Sequence, residues 1–385
     1  MKQKTIKYLI TISCFLEFLL FPSMAMKKAL ADFLINNNDR FMNYGDLRLR
    51  YENDWSSKKS SGAKRDNRQR MRIRARLGVN ASFTNTLSGG IRLRTGSWGS
   101  QQSPHITIVD LSSDVKGHHN VVLDKWYVNK NNDSKNFWIG RNDFPFWKHN
   151  ELFWDDDSTP IGLAFSIRPI INSNFKIKTA AFLLPDGMKD FHGQLLAIQG
   201  IHKRIFQKNE LHGAFGYFNF LGADGKTENL RNGNGNRDYH IMVANFRWIN
   251  NYTTSPLTFG IDFMQNLKNY SAQDLDSFTA NNANRITGFD FHFTIGKLQK
   301  RKSWLTALTF ARIETLSVNA SFAQDDWMRW GSADQTDGSD FKGYELRAGY
   351  MLSDDIGILA RYYDVEAISN IQDGRRFRLD LNYKF

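Results

Sequence analysis

Residues 68 to 83, RQRMRIRARLGVNASF, alternate in polarity with a period of two from end to end. Met71, Ile73, Ala75, Leu77, Val79, Ala81 and Phe83 fall on one side of an extended chain, and Arg70, Arg72, Arg74, Arg76, Asn80 and Ser82 on the other. A helix would scatter both sets around its circumference, so the segment reads as a strand. Arginines at every second position from Arg68 to Arg76, backed by an unbroken apolar face, suit a wall between lipid and water better than the half-polar face of a soluble sandwich.

The same phase recurs in GDLRLRYEN at 45–53, SGGIRLRTG at 88–96, FKIKTAAFL at 175–183 and LTFGIDFM at 257–264. It returns in ITGFDFHFTIG at 286–296, YELRAGYM at 344–351 and RFRLDLNYKF at the end. Weaker candidates lie near 121–130, 134–141, 160–167, 193–204, 208–220, 238–249, 304–314 and 356–364. About sixteen antiparallel strands are therefore expected, an even number as a closed all-β transmembrane barrel requires. Long connections near 54–67, 97–120, 142–159, 185–192, 221–237, 267–284, 317–340 and 364–374 alternate with short ones, as when loops face outward and tight turns face the periplasm.

No apolar run of about 18 residues follows the first 25, so helical spans are excluded. The amino terminus joins MKQKTIKY to an apolar stretch and reaches Ser23, Met24 and Ala25, the pattern of a signal peptide cleaved after residue 25. Residues 26–44 are expected to form a short extension, and 45–385 the barrel. The single cysteine, Cys14, falls in the signal, leaving the mature chain without disulfide or thiolate chemistry. The terminal aromatic pair Tyr383 and Phe385 looks like the carboxy-terminal signature that outer-membrane assembly machinery recognises.

Together, GDLRLRYEN, RQRMRIRARLGV, GRNDFPF at 140–146 and WDDDSTPIGLAF at 154–165 resemble the "putative porin" family of Gram-negative bacteria. The resemblance implies a passive outer-membrane pore for small hydrophilic solutes, set in lipid and lipopolysaccharide, and a homotrimer like the general porins. It brings no catalytic residues and no cofactor.

Alternation places Arg48, Arg50, Arg70, Arg72, Arg74 and Arg76 inward on the first two strands, and Arg92 and Arg94 on the third. Arg376 and Arg378 lie on the last strand, which must pair with the first, and Arg347 and Arg361 extend the patch. Guanidinium groups match carboxylate and phosphate oxygens, so this wall is expected to favour anionic or zwitterionic solutes. A second reading stays open, in which the wall only neutralises Glu52, Glu345 and Asp380.

In the third long connection Asp143, Glu151, Asp155, Asp156 and Asp157 are interleaved with aromatics. If the loop enters the lumen, those acids oppose the arginines across a constriction, with Asp262 and Asp290 on the opposite wall adding to the field. Otherwise the loop is external and its aspartates face water or a divalent ion. Inward Gly78, Gly90, Gly260 and Gly288 point to open space rather than to a plug. A non-conducting barrel, serving as adhesin, receptor or scaffold, is the competing reading. Scattered histidines, including His118 and His119, lack the spacing of a metal site, and no nucleophile elbow or phosphate loop occurs. The net charge of +12 lies along strands rather than in a patch with stacking aromatics, which argues against nucleic acid.

Overall fold

The computed structural model describes residues 40–112, 120–170, 174–222, 237–270, 276–327, 329 and 338–385. The expected signal peptide, Cys14, His118 and His119 lie outside these residues. The first third of the chain forms β1 (Phe41–Lys58), β2 (Lys64–Arg65), β3 (Arg68–Ser82), β4 (Leu87–Gly96), β5 (Ile106–Asp110) and β6 (Asn120–Asn131). The middle forms β7 (Lys135–Arg141), β8 (Ile161–Ile167), β9 (Phe175–Asp186), β10 (Asp190–Phe206), β11 (Asn209–Leu221) and β12 (Tyr239–Asn250). The last third forms β13 (Leu257–Asn266), a short helix α1 (Ser277–Asn282), β14 (Thr287–Gly296), β15 (Trp304–Ile313), β16 (Phe341–Met351), β17 (Ile356–Ala367) and β18 (Asp373–Lys384).

The eighteen strands of the described residues belong to one sheet, and bonded strands run antiparallel. Removing the short rim strands β2 and β5 from the eighteen leaves sixteen wall strands, closed where β1 pairs with β18. β1 begins at Phe41, inside the stretch read from the sequence as an extension. Alternation carries through to exposure: Leu49, Ile91, Leu163, Ile198, Phe215, Phe263, Phe291, Leu308, Leu346 and Leu379 stand out from the wall as the apolar belt lipid requires. On the same strands Arg48, Arg50, Arg92, Arg94, Arg347, Arg376 and Arg378 turn inward and are buried or half-buried, whereas Arg204 and Arg375 near strand ends stay exposed.

Two connections expected to be long are tight. β9 passes to β10 through residues 187–189, with Gly187 at φ 73°, and β17 passes to β18 through 368–372. In both cases the paired strands extend further than alternation alone suggested, and on β10 a bulge between Phe191 and Gln194 lets the strand continue as far as Asp190.

Hydrogen bonding around a closed ring leaves no free edge from which unfolding can start. The protein in detergent should therefore keep its compact form in the cold and shift in gel mobility only on boiling. Identical migration of boiled and unboiled samples would contradict closure.

Candidate functional site

β1, β3, β4, β16, β17 and β18 bring the arginines together on one continuous inner wall. Arg48 sits opposite Arg74 and Arg50 opposite Arg72, while Arg76 faces Arg94. Arg361 lies between Arg347 and Arg378. Like charges directly opposite one another destabilise a sheet, so this arrangement needs interleaved acids. Arg50 binds Asp380 at 2.7 Å, Arg378 binds Glu52 at 2.8 Å and Arg376 binds Asp54 at 2.6 Å. Asp46 accepts from Arg74 at 2.7 Å and Arg76 at 2.6 Å, Asp124 pairs with Arg92 at 2.6 Å, and Glu345 with Arg347 at 2.6 Å. Arg70 also binds Glu52. Arg48 and Arg72 differ. Arg48 donates to Asn382 and stands 3.8 Å from Asp380; Arg72 donates to Ser103 and the His105 carbonyl and stands 3.6 Å from Glu52.

The loop from Asn142 to Thr159 folds into the lumen. Phe144, Phe146 and Phe153 pack on inward Phe218 of β11, and Trp154, fully buried, stacks on Phe144 at 4.3 Å and on Phe322 at 5.0 Å. Gln199 of β10 brackets the Trp147 backbone with two hydrogen bonds of 2.7 and 2.9 Å. Lys178 of β9 donates to the Pro145 carbonyl.

Sequence reasoning missed that residues 314–327 also enter the lumen. Leu316, Val318, Phe322 and Ala323 are fully buried there. The Asp155 amide donates to the Phe322 carbonyl at 2.6 Å and the Gln324 amide to the Glu151 carbonyl at 3.0 Å, so the two loops brace each other. From the β4–β5 connection, Gln101 and Gln102 donate to carbonyls of the same segment. The outer half of the lumen therefore holds a packed aromatic core, not the open space that inward glycines suggested. Gly78 makes room for the Tyr44 ring and Gly260 for His149.

Between loops and wall a cavity of about 380 Å³ survives, lined by Arg48, Arg70, Arg72 and Arg74 on one side and by Glu151, Asp155, Asp156, Asp157 and Asp326 on the other. Asp157 lies 3.1 Å from Arg76, 3.9 Å from Arg74 and 4.0 Å from Arg94, and Arg94 also donates to its carbonyl at 2.9 Å. Burial opposes its ionisation, but Arg74, Arg76 and Arg94 outweigh burial and hold its carboxyl below the usual range. Asp326 contacts Arg378 at 2.5 Å and Arg361 at 3.5 Å, and these guanidiniums likewise overcome burial. Glu151 goes the other way: burial, reinforced by Asp156, pushes it up to about 7. Burial with Glu151 alongside also raises Asp155, which caps the Asp157 amide at 2.7 Å. Asp156 is largely exposed and pairs with Lys148 at 2.5 Å; Asp143, also largely exposed, pairs with Lys125.

Asp262 and Asp290 do point inward, but they are buried beneath the loop against His149 and Asn150 rather than facing the cavity. Toward the short turns, Lys176, Lys178, Arg168 and Lys203 line two further openings of about 330 and 430 Å³. The even spacing of FKIK carried that signal. Tyr383 and Phe385 stand at the seam, where the Phe385 backbone exchanges hydrogen bonds of 3.0 and 3.1 Å with Gly45. A larger groove of about 920 Å³ opens on the outer rim, lined by ion-paired residues such as Lys342 and Asp364, away from the lumen.

Residues 61–252 match the model of a family described as "Putative porin". The fold is similar to that of OprB from Pseudomonas putida, with a TM-score of 0.58 and 10% identity over 90% of this chain and 94% of that one. It is also similar to OmpF from Salmonella typhi, solved in complex with daunomycin, with a TM-score of 0.52 and 11% identity over 90% of this chain and 97% of that one. At such identities the likeness speaks for the fold alone. No curated relative matches in sequence. With a closed sixteen-stranded wall, an apolar outer belt and a charged lumen narrowed by its own loops, the chain belongs to the putative porin family, non-enzymatic β-barrels of the bacterial outer membrane.

Proposed function

We propose that the chain is a passive diffusion pore for small hydrophilic solutes, with a preference for anionic or zwitterionic ones. The observation that carries this reading is the cavity in which Arg48 and Arg72 present guanidiniums that are not the nearest partners of any buried acid. The Arg48, Arg70 and Arg72 side chains each stay partly accessible where they line the cavity, so the wall offers guanidinium groups to a carboxylate or phosphate. Asp157 stands within 4 Å of Arg74 and Arg76 and Asp326 within 4 Å of Arg361 and Arg378, and these pairs set up a steep local field that would orient a dipolar solute.

Replacing both Arg48 and Arg72 by Gln tests the assignment. Neither removes the close partner of a buried carboxylate, whereas losing Arg92 would strand Asp124 at a cost of about 3–5 kcal/mol. Conductance should persist while the chloride preference in a salt gradient falls. The change should be largest at low salt, since at 0.1 M the Debye length is roughly 10 Å. A wild-type channel that passes potassium in strong preference to chloride would reverse the assignment.

The packed aromatic core gives the competing reading, a non-conducting barrel, its specific support. Single-channel recording of the full chain in a planar bilayer separates the two: discrete openings favour the pore, and silence favours a receptor or scaffold. Trimeric assembly and recognition of Tyr383 and Phe385 by assembly machinery belong to the same proposal.

A further inference from the structure

The buried acids of the wall strands follow one rule with two exceptions. Glu52, Asp54, Asp124, Glu345 and Asp380 each have an arginine within 2.8 Å. Asp262 on β13 and Asp290 on β14 have none among the described residues, although they sit directly opposite each other and are essentially inaccessible. Two buried carboxylates side by side repel, and desolvation adds several kcal/mol for each uncompensated charge.

What faces them is the imidazole of His149, carried in by the lumen loop. Its side chain is 2% exposed, with Nδ1 3.3 Å from Asp262 and Nε2 3.7 Å from Asp290. Among the described residues neither ring nitrogen makes a hydrogen bond, and Oδ2 of Asp290 has no hydrogen-bond partner either. The ring has a prepared seat, because a Cβ at position 260 would lie 2.8 Å from its Nε2 and only glycine leaves the space. Asn150 donates to Asp262 at 3.0 Å and to Asp290 at 2.8 Å, and Asn245 donates to Asp262, so amides fix both carboxylates from outside. That is the way ligand carboxylates are held around a metal.

We propose that His149, Asp262 and Asp290 form a divalent transition-metal site of the zinc type, which pins the lumen loop to the wall opposite the arginines. One donor atom from each residue lies within 4.8 Å of the others. Donors on a tetrahedral zinc stand about 3.4 Å apart, so closing the set needs movements of about an ångström, and a water completes four-coordination. A doubly charged ion cancels both carboxylates. The imidazole sets the site apart from calcium or magnesium sites, which take oxygen donors. The assignment concerns an anchor and holds whether or not the pore prefers anions.

The test uses the untagged full chain, folded in detergent with and without Zn²⁺, dialysed against zinc-free buffer containing excess Mg²⁺, and assayed for metal content. Wild type should retain about one zinc per chain, and His149→Gln about tenfold less or lower. His149 lies in a loop, so the barrel should form in that variant, as its gel mobility before boiling will show. Asp262→Asn with Asp290→Asn should also lose the metal. Wild type that retains no zinc overturns the proposal whatever the variants do. So does equal retention by wild type and both variants, which would place the ion elsewhere.

Discussion

Replacing Asp157 by Asn will shift the channel toward anions more than any other single change in the lumen loop. Asp157 is the acid that three wall arginines keep ionised, while Asp155 is driven toward its neutral form and Asp156 leans out to Lys148. Asn keeps the shape and leaves Arg74, Arg76 and Arg94 without that counter-charge. One unit charge at about 4 Å in a water-like medium is worth about 1 kcal/mol, or roughly a fivefold rise in chloride over potassium permeability. Reversal potentials in a low-salt gradient measure it, and no change would mean that ions do not pass this residue. Acidification should act in the same direction. With its carboxyl raised to about 7, Glu151 takes up a proton as pH falls from 8 to 6 and removes a negative charge from the same cavity.

Truncating Trp154 and Phe322 together to Ala will widen the pore while leaving the barrel standing. Their rings stack at 5.0 Å and 11° where the two lumen loops meet, and both are fully buried. Each truncation costs about 3–5 kcal/mol of local packing and opens on the order of 150 Å³. Two such openings beside a cavity of about 380 Å³ should roughly double single-channel conductance and add flicker as the loops lose their brace. Gel mobility before boiling should not change, because the wall is held by its own ladder of hydrogen bonds. Unchanged conductance would mean that solutes bypass this junction, or that the barrel does not conduct.

The wall was legible because lipid on one side and water on the other impose a period of two on every strand. That regularity placed Arg72, Arg361 and Arg378 inward from letters alone. It failed where geometry breaks the period. At Asp124 and Lys125 a bulge opposite Arg92 and Leu93 turns both side chains inward, so strict alternation could not pick out the acid that partners Arg92. Asp46 and Asp54 were readable by the same rule but lay at strand ends whose length was underestimated. The entry of 314–327 could not be read from its period, since Leu316, Val318, Ala320 and Phe322 alternate with Ser317, Asn319 and Ser321 as in a strand, yet the segment satisfies its polar groups through turns and cross-loop contacts that only the assembled lumen supplies. The glycines misled for a related reason, because a missing side chain in a strand marks room for a neighbour as readily as room for water.

The seam between β1 and β18 also bears on assembly. Arg50 meets Asp380, Glu52 meets Arg378 and Asp54 meets Arg376, partners separated by more than 320 positions along the chain. Within the β1–β3 hairpin Arg70 and Arg68 already contact Glu52 and Asp54, but Arg50 finds its close carboxylate only on β18, so each of the two strands carries part of the other's complement. A one-residue slip of the last strand would turn Arg376, Arg378 and Asp380 to lipid. A two-residue slip in one direction would set Glu52 against Asp380, and in the other Arg50 against Arg378. The zipper therefore works as a lock that accepts one alignment, and until it closes the two end strands are mutually adhesive. Crowded, incompletely closed chains would then be prone to join the first strand of one copy to the last strand of another.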